Sequence, residues 1–174
     1  MSNNVTTTKK KFWTVNKVNT KTAEMLIYGF IGQYEEIDDA EFIKDLRQLE
    51  AAYADINFRI NCGGGDVYKG LAIYNSIRNS KCNTTSYVDG IAASMGAVIA
   101  ASTNKTYMSK YARFMTHRVT GFCGGNSDDL RNFAIEFDNY ELSIAEILAN
   151  KTGLTKEAAK TKYITNKDRW ISAE

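Results

Sequence analysis

Two side chains and one glycine run have the types and the setting that chemistry needs. His117 is the single histidine in the chain. It follows the apolar stretch ARFMT at residues 112–116 and precedes a glycine-rich loop, which is where α/β folds place functional groups. An imidazole titrates near neutrality and can act as a general base, although a lone histidine also serves as a packed or exposed structural residue. Ser94 stands in GIAASMG at residues 90–96, between a strand-like segment and a helix. Its neighbours Ala92, Ala93 and Gly96 leave the hydroxyl accessible and let a substrate backbone come close. The free N–H groups of the helix start would favour an incoming oxyanion. The same small residues equally suit tight helix packing, and the first glycine lies four residues before the serine, not two as in the GxSxG hydrolase turn.

Gly63, Gly64 and Gly65 form the glycine run. The chain contains neither GxxxxGK[ST] nor GxGxxG, so a nucleotide cradle is not indicated. The run reads either as a strand end whose N–H groups face a bound carbonyl or as a tight turn into the next helix. Cys62, Cys82 and Cys123 are odd in number, far apart and free of any CxxC pair, which points to neither a disulfide framework nor a zinc site. Cys62 and Cys123 lie near the loops but lack a small-residue elbow, so they read as structural. No cofactor and no metal are expected.

The elements that must position these groups follow from hydrophobic period. Residues 12–18 (FWTVNKV) and 23–32 (AEMLIYGFIG) read as short strands rich in branched and aromatic residues. From Asp38 or Asp39 as N-cap, Phe42, Leu46, Leu49 and Tyr53 recur at helical spacing to about residue 54. A strand with Ile56, Phe58 and Ile60 alternating runs into the glycine loop, and a helix spans about residues 67–79. A strand at residues 84–90 and a buried helix at 92–101 repeat that outline. Two short strands (105–109 and 112–117) come next, followed by a loop at 121–125. A long helix from Asp128 or Asp129 then carries Leu130, Phe133, Phe137, Tyr140, Ile144 and Leu148 and stops near Gly153. A shorter helix over about 155–162 and an extended segment at 170–172 finish the chain. The class is α/β, with one domain over residues 12–174 after a polar arm at 1–11. Ser172, Ala173 and Glu174 read as the opening turn of a helix cut short by truncation.

Composition narrows the function classes. A chain of 174 residues with 44% hydrophobic content supports one sizeable core. Its 22 basic and 20 acidic residues give a net charge of +2, and apart from Lys9, Lys10 and Lys11 the signs are interspersed, which argues against a nucleic-acid groove. There is no apolar secretory leader and no run of membrane-spanning length. A soluble protein of the reducing cytoplasm is expected. Proline is absent, so turns fall to glycine, asparagine and aspartate.

The blocks INCGGGDVYKGLAIYNSI, DGIAASMGAVIA, FMTHRVTGFCGGNSDDLR and DRWISAE, in this order and spacing, resemble the proteolytic subunit of the Clp protease. The resemblance runs from residue 23 to the end and is nearest to the shorter phage and prophage versions. It implies a crotonase-like fold of repeated β-β-α units and a serine endopeptidase acting on unfolded or extended polypeptides. The family's nucleophile falls on Ser94, its base on His117 and its third member on Asp168, with Asp66 and Asp89 as lesser candidate acids. The oxyanion would meet the backbone N–H groups of Gly65 and Met95. The substrate would lie as an added strand between Gly64 and Gly65 on one side and Val119 and Thr120 on the other. As partners the resemblance implies a homo-oligomeric ring or stacked rings, with contacts between rings made by the long helix at residues 128–151. An AAA+ ATPase would be the separate source of any ATP dependence, in general turnover or in phage-type maturation.

The chain departs from the family pattern in three places. Gly63 stands where the family usually writes proline, the family continues past S-A-E, and its amino-terminal ATPase contacts have no match here. Two alternatives stand beside the peptidase: a catalytically inactive ring-forming structural subunit, and a crotonase-type enzyme acting on an acyl-coenzyme A.

Overall fold

The computed structural model describes residues 15–32 and 37–173. The polar arm at 1–11, the start of the first expected strand and Glu174 lie outside the described residues. β1 (Val15–Lys17) pairs antiparallel with β2 (Thr22–Ile31). The turn between them is closed by the Asn19 side chain, which accepts from the N–H groups of Lys21 and Thr22 at 2.8 and 2.9 Å. Helix α1 (Asp39–Ala52) begins where the Asp38 carboxylate accepts from the N–H groups of Ala40 and Glu41, and it buries Phe42, Leu46 and Leu49. The chain continues through β3 (Asp55–Gly65), α2 (Val67–Arg78), β4 (Asn83–Ala93), α3 (Met95–Ala101), β5 (Lys105–Met108) and β6 (Arg113–Thr116). Then come α4 (Ser127–Thr152), α5 (Lys156–Tyr163) and β7 (Arg169–Ile171).

The strands form one mixed sheet in the order β1-β2-β3-β4-β6-β7. β2, β3 and β4 run parallel, while β1 and β7 close the two ends antiparallel. The long strand β4 carries two short neighbours on one edge: its residues 85–88 pair with β5 and its residues 91–93 with β6, both parallel. Alternation gives the sheet a core face, on which Met25, Ile27, Ile56, Phe58, Ile60 and Val88 are buried beneath the helices. Its other face carries Tyr28, Arg59, Tyr87 and Asp89. There Asp89 is ion-paired with Arg59 and accepts the Tyr28 hydroxyl at 2.8 Å. Every residue of α3 is buried, which its run of small and branched side chains permits.

Of the two readings of the glycine run, the strand end is the one found: Gly64 and Gly65 pair with Phe30 and Ile31 after a register shift at Gly29 and Phe30, because β2 supplies ladder partners to the end. Two expected helix starts change. α3 starts at Met95, not at 92, since Ile91, Ala92 and Ala93 remain paired with Arg113, Phe114 and Met115. α4 is capped by Asn126 in a reciprocal capping box with Asp129, so it opens at Ser127. Only its second half enters the core. Ile144, Ala145, Leu148 and Ala149 are buried, whereas Leu130 and Ile135 are 49% and 56% exposed. Of the stripe Phe133, Phe137, Tyr140 and Ile144, only Ile144 is buried. Ser172 and Ala173 follow β7 without regular structure.

The approach of α3 to β3 depends on Gly96. A Cβ there would stand 2.6 Å from the Cys62 carbonyl oxygen and 3.0 Å from its Cβ, with backbone on one side and a fully buried strand residue on the other. We expect Gly96→Ala to lower unfolding stability by about 1–3 kcal/mol, the cost of an overpacked core, as a reduced midpoint in urea.

Candidate active site

Ser94 sits at the junction of β4 and α3 with φ 54° and ψ −122°, and it is the one non-glycine residue with positive φ among the described residues. Holding a side chain there costs on the order of 1–3 kcal/mol, so the surroundings must impose it. They do so from two sides. The Ser94 N–H donates to the Met115 carbonyl at 2.9 Å, and the Ser94 carbonyl accepts from Ala97 and Val98 at 3.0 and 3.2 Å. Opposite, Gly64 (φ 103°) packs so closely that a Cβ on it would lie 2.7 Å from the Ser94 Cβ and 2.9 Å from the Ala93 carbonyl oxygen. The result is a sharp strand-to-helix turn that lifts the hydroxyl off the end of β4. This is the geometry of a nucleophile elbow, reached without the GxSxG spacing.

His117 follows directly on β6. The β4–β6 register sets Met115 opposite Ala93, which brings the next residues of both strands to the same end of the sheet. The imidazole Nε2 lies 2.9 Å from the Ser94 Oγ. With the hydroxyl donating to Nε2, the ring proton belongs on Nδ1, so a group facing Nδ1 would fix the working tautomer.

The acids divide differently. β7 pairs antiparallel with β6, with Arg169 opposite Thr116, and continuing that register sets Asp168 across from His117. Asp168 is nevertheless exposed, and no hydrogen bond joins it to His117. Asp66 is occupied as the N-cap of α2, accepting from the Lys69 N–H at 3.0 Å. Asp89 is held by Arg59 and Tyr28 on the far face of the sheet.

Arg118 is the residue that sequence reasoning missed. Its Nε donates to Glu141 Oε1 at 2.7 Å, its backbone N–H donates to the Thr165 carbonyl at 3.2 Å, and its guanidinium reaches Asn166 and Asp138 at 3.5 Å. The Glu141 hydrogen bond, with that carboxylate's charge, raises the Arg118 pKa further. The Glu141 side chain is only 2% exposed, so the pair ties the segment after His117 to α4 and to the chain leading into β7. The signal in the sequence was an arginine directly after the sole histidine, with no indication of which distant acid it would meet.

A cavity of about 60 Å³ opens beside the Ser94 hydroxyl, with Gly65, Met95, His117, Val119 and Thr120 on its wall. Gly64 is not among them, since it packs beneath Ser94. The β3–β4 ladder ends at Cys62 and Ala92, so the following glycines have β2 on one side and no β4 partner on the other. Met95 is the first residue of α3, where an N–H has no intrahelical acceptor. A second cavity of about 230 Å³ adjoins along Val119 and Thr120, walled by Tyr68, Phe133, Phe137 and Tyr140. The outer half of α4 thus forms a side of the cleft. Tyr68 and Tyr140 meet edge to face at 5.2 Å, and the Tyr140 hydroxyl, hydrogen-bonded to Tyr68, is pushed up to about 12. Among the described residues, no helix is long and apolar enough to cross a membrane, and no three His, Cys, Asp or Glu side chains stand together as metal ligands.

Comparison with known proteins gives these residues a context. The family model described as Clp protease matches residues 13–174. The ATP-dependent Clp protease proteolytic subunit 2 of Rhodococcus jostii is 33% identical over 131 residues, which cover 74% of this chain and 66% of that protein. The subunit 2 of Corynebacterium efficiens is 35% identical over 74% of this chain and 65% of its own length. The subunit 1 of Corynebacterium jeikeium is 35% identical over 74% and 69%. The chain thus spans about two thirds of the length of the curated relatives it matches. With a family match over nearly its whole length, the chain belongs to the Clp protease family.

Proposed function

We propose that this chain is a serine endopeptidase subunit in which Ser94 is the nucleophile and His117 the general base. The observation that carries the reading is the 2.9 Å contact between His117 Nε2 and a Ser94 hydroxyl presented on a strained turn. An extended polypeptide would enter as a strand along β3 at the exposed Gly65, beside the buried Gly64, with Val119 and Thr120 on its other side. Recognition would then rest on main-chain hydrogen bonds with little demand on sequence. His117 takes the Ser94 proton as Oγ attacks the scissile carbonyl, and the developing oxyanion is met by the N–H groups of Gly65 and Met95. Collapse of the tetrahedral intermediate returns that proton to the leaving amine and leaves an acyl-serine, which water cleaves with the same base.

Asp168 is the residue we assign to orient the imidazole. The support is its register position across from His117 and the anchoring of residues 165 and 166 by Arg118; in this role its exposed side chain would have to turn inward toward Nδ1. The relatives are named as ATP-dependent proteolytic subunits, which supports assembly into a ring that works with a separate ATPase. The exposed apolar residues on the outer half of α4, Leu130 and Ile135, suit a contact between subunits. A catalytically silent ring subunit is the second reading, favoured by the exposure of Asp168.

A serine-directed peptide phosphonate separates the two. Mass spectrometry is expected to locate one adduct on Ser94 and none on the Ser94→Ala variant, and an unlabelled Ser94 in folded, assembled protein would remove the peptidase reading. His117→Ala is expected to lower kcat/KM on a fluorogenic peptide by at least about 100-fold while the sedimentation profile stays unchanged. Asp168→Asn is expected to cost between about 10-fold and 10⁴-fold in kcat at unchanged KM, and unaltered turnover would exclude Asp168 from the relay.

A further inference from the structure

Residues 117–126 carry neither helix nor strand, and the base at their start is followed at once by the residue that ties the stretch down. Among the described residues, Arg118 is the only one of residues 118–125 with a hydrogen bond to another element. On one side its Nε donates to Glu141 at 2.7 Å, and among the described residues Arg118 is the one cation within ion-pair reach of that buried carboxylate. On the other side its backbone N–H donates to the Thr165 carbonyl at 3.2 Å and its guanidinium reaches Asn166 at 3.5 Å.

The bond to Thr165 departs from the ladder. Thr116 faces Arg169 in the β6–β7 pair, so regular pairing would set Arg118 across from Lys167. Its N–H meets the Thr165 carbonyl instead, and residues 166–168 bulge opposite His117 alone. The Thr165 hydroxyl closes this bulge by donating to the Lys167 carbonyl at 2.6 Å. Asp168 is the last residue of the bulge, exposed and with no side-chain hydrogen bond or ion pair among the described residues. Its place is therefore set by what holds the two ends: Arg169 in the ladder after it, and Arg118 at the start.

We propose that Arg118 is a positioning residue for the catalytic pair: braced by Glu141, it holds the bulge that ends at Asp168 against the segment that begins at His117, and so keeps the acid opposite the imidazole. This rests on the peptidase reading of Ser94 and on the assignment of Asp168. A carboxylate with no fixed contact of its own can orient Nδ1–H only if its backbone stays where the side chain can turn inward. An arginine suits the task, because its planar fork bonds a buried acid through Nε and leaves its terminal nitrogens for a second element. The burial of Glu141 stiffens the brace: moving Arg118 away would strand a carboxylate in the core, so the guanidinium is held and the bulge with it. Replacing the side chain leaves the backbone bond to Thr165 in place. The expected loss is therefore smaller than that of removing Asp168.

The test removes both charges together, Arg118→Gln with Glu141→Gln, so that no carboxylate is left buried and unpaired. Wild type and this double variant are compared by turnover of a fluorogenic peptide and by the rate at which the phosphonate labels Ser94, each with Asp168 and with Asp168→Asn. The double variant is expected to lower kcat and the labelling rate about tenfold at unchanged KM. Beside Asp168→Asn the same two substitutions are expected to change either rate by less than about twofold, since the brace acts through that acid. Unchanged rates overturn the proposal, as does a loss in KM alone or a tenfold loss that persists beside Asp168→Asn. If the double variant does not fold, Arg118→Lys takes its place, keeping the charge and dropping the fork to Asn166, and the same outcomes decide. Failure to label Ser94 in folded wild-type protein overturns the peptidase reading and this proposal with it, whereas labelling that is indifferent to the brace removes the proposal alone.

Discussion

The site depends on how closely the end of β3 can approach the turn after β4. A serine at φ 54° is held there because backbone hydrogen bonds grip it from the β6 side and Gly64 fills the space beneath it, with no room for even a methyl group. The same strand segment is fixed from behind. A Cβ on Gly65 would stand 2.1 Å from the Ile31 carbonyl oxygen, so β3 lies against β2 as tightly as it lies against Ser94. Two adjacent glycines therefore set the positions of three strands at once. The hydroxyl, the helix start at Met95 and the free strand edge follow from that spacing.

Around this point the fold brings together groups far apart in sequence. β4 delivers Ser94 and, through its pairing with β6, His117. The Arg118–Glu141 pair then joins the histidine segment to the middle of α4, at the level where that helix passes from the core into solvent. Breaking a buried carboxylate from its partner is costly, so this pair resists independent movement of the two elements. The inner half of α4 closes the recess beside Ser94 through Ile144, and its outer half walls the adjoining cleft through Phe133, Phe137 and Tyr140. One helix thus lines both cavities beside Ser94 and presents an exposed apolar surface beyond them.

Much of this was legible from residue types alone. The α/β alternation, the caps at Asp38 and near Asp128, and the helices carrying Phe42, Leu46 and Ile77 follow from period and local side-chain chemistry, which act within a few residues. The single histidine and the serine among small residues stood as candidates beside their packing alternatives, and the blocks shared with the family, in fixed order, were what favoured the pair. Other features depended on distant partners. The glycine run is strand because β2 reaches that far, and Ala92 and Ala93 are strand because β6 pairs with them. In isolation the glycine run leaves strand end and turn open, and the two alanines read as helix.

What the sequence determined by itself was therefore the class of the fold and the family, with Ser94 and His117 marked as candidate reacting groups, all carried by local pattern and by short motifs in fixed order. Tertiary structure alone decided the 2.9 Å separation of Ser94 and His117, the use of Asp66 as a cap and Asp89 as an ion-pair partner, and the exposed position of Asp168. It also decided that Thr116 would bury a hydroxyl without a partner. Each of these is a relation between elements whose contact is set by strand register and helix docking, and neither register nor docking is written in the residues of one element.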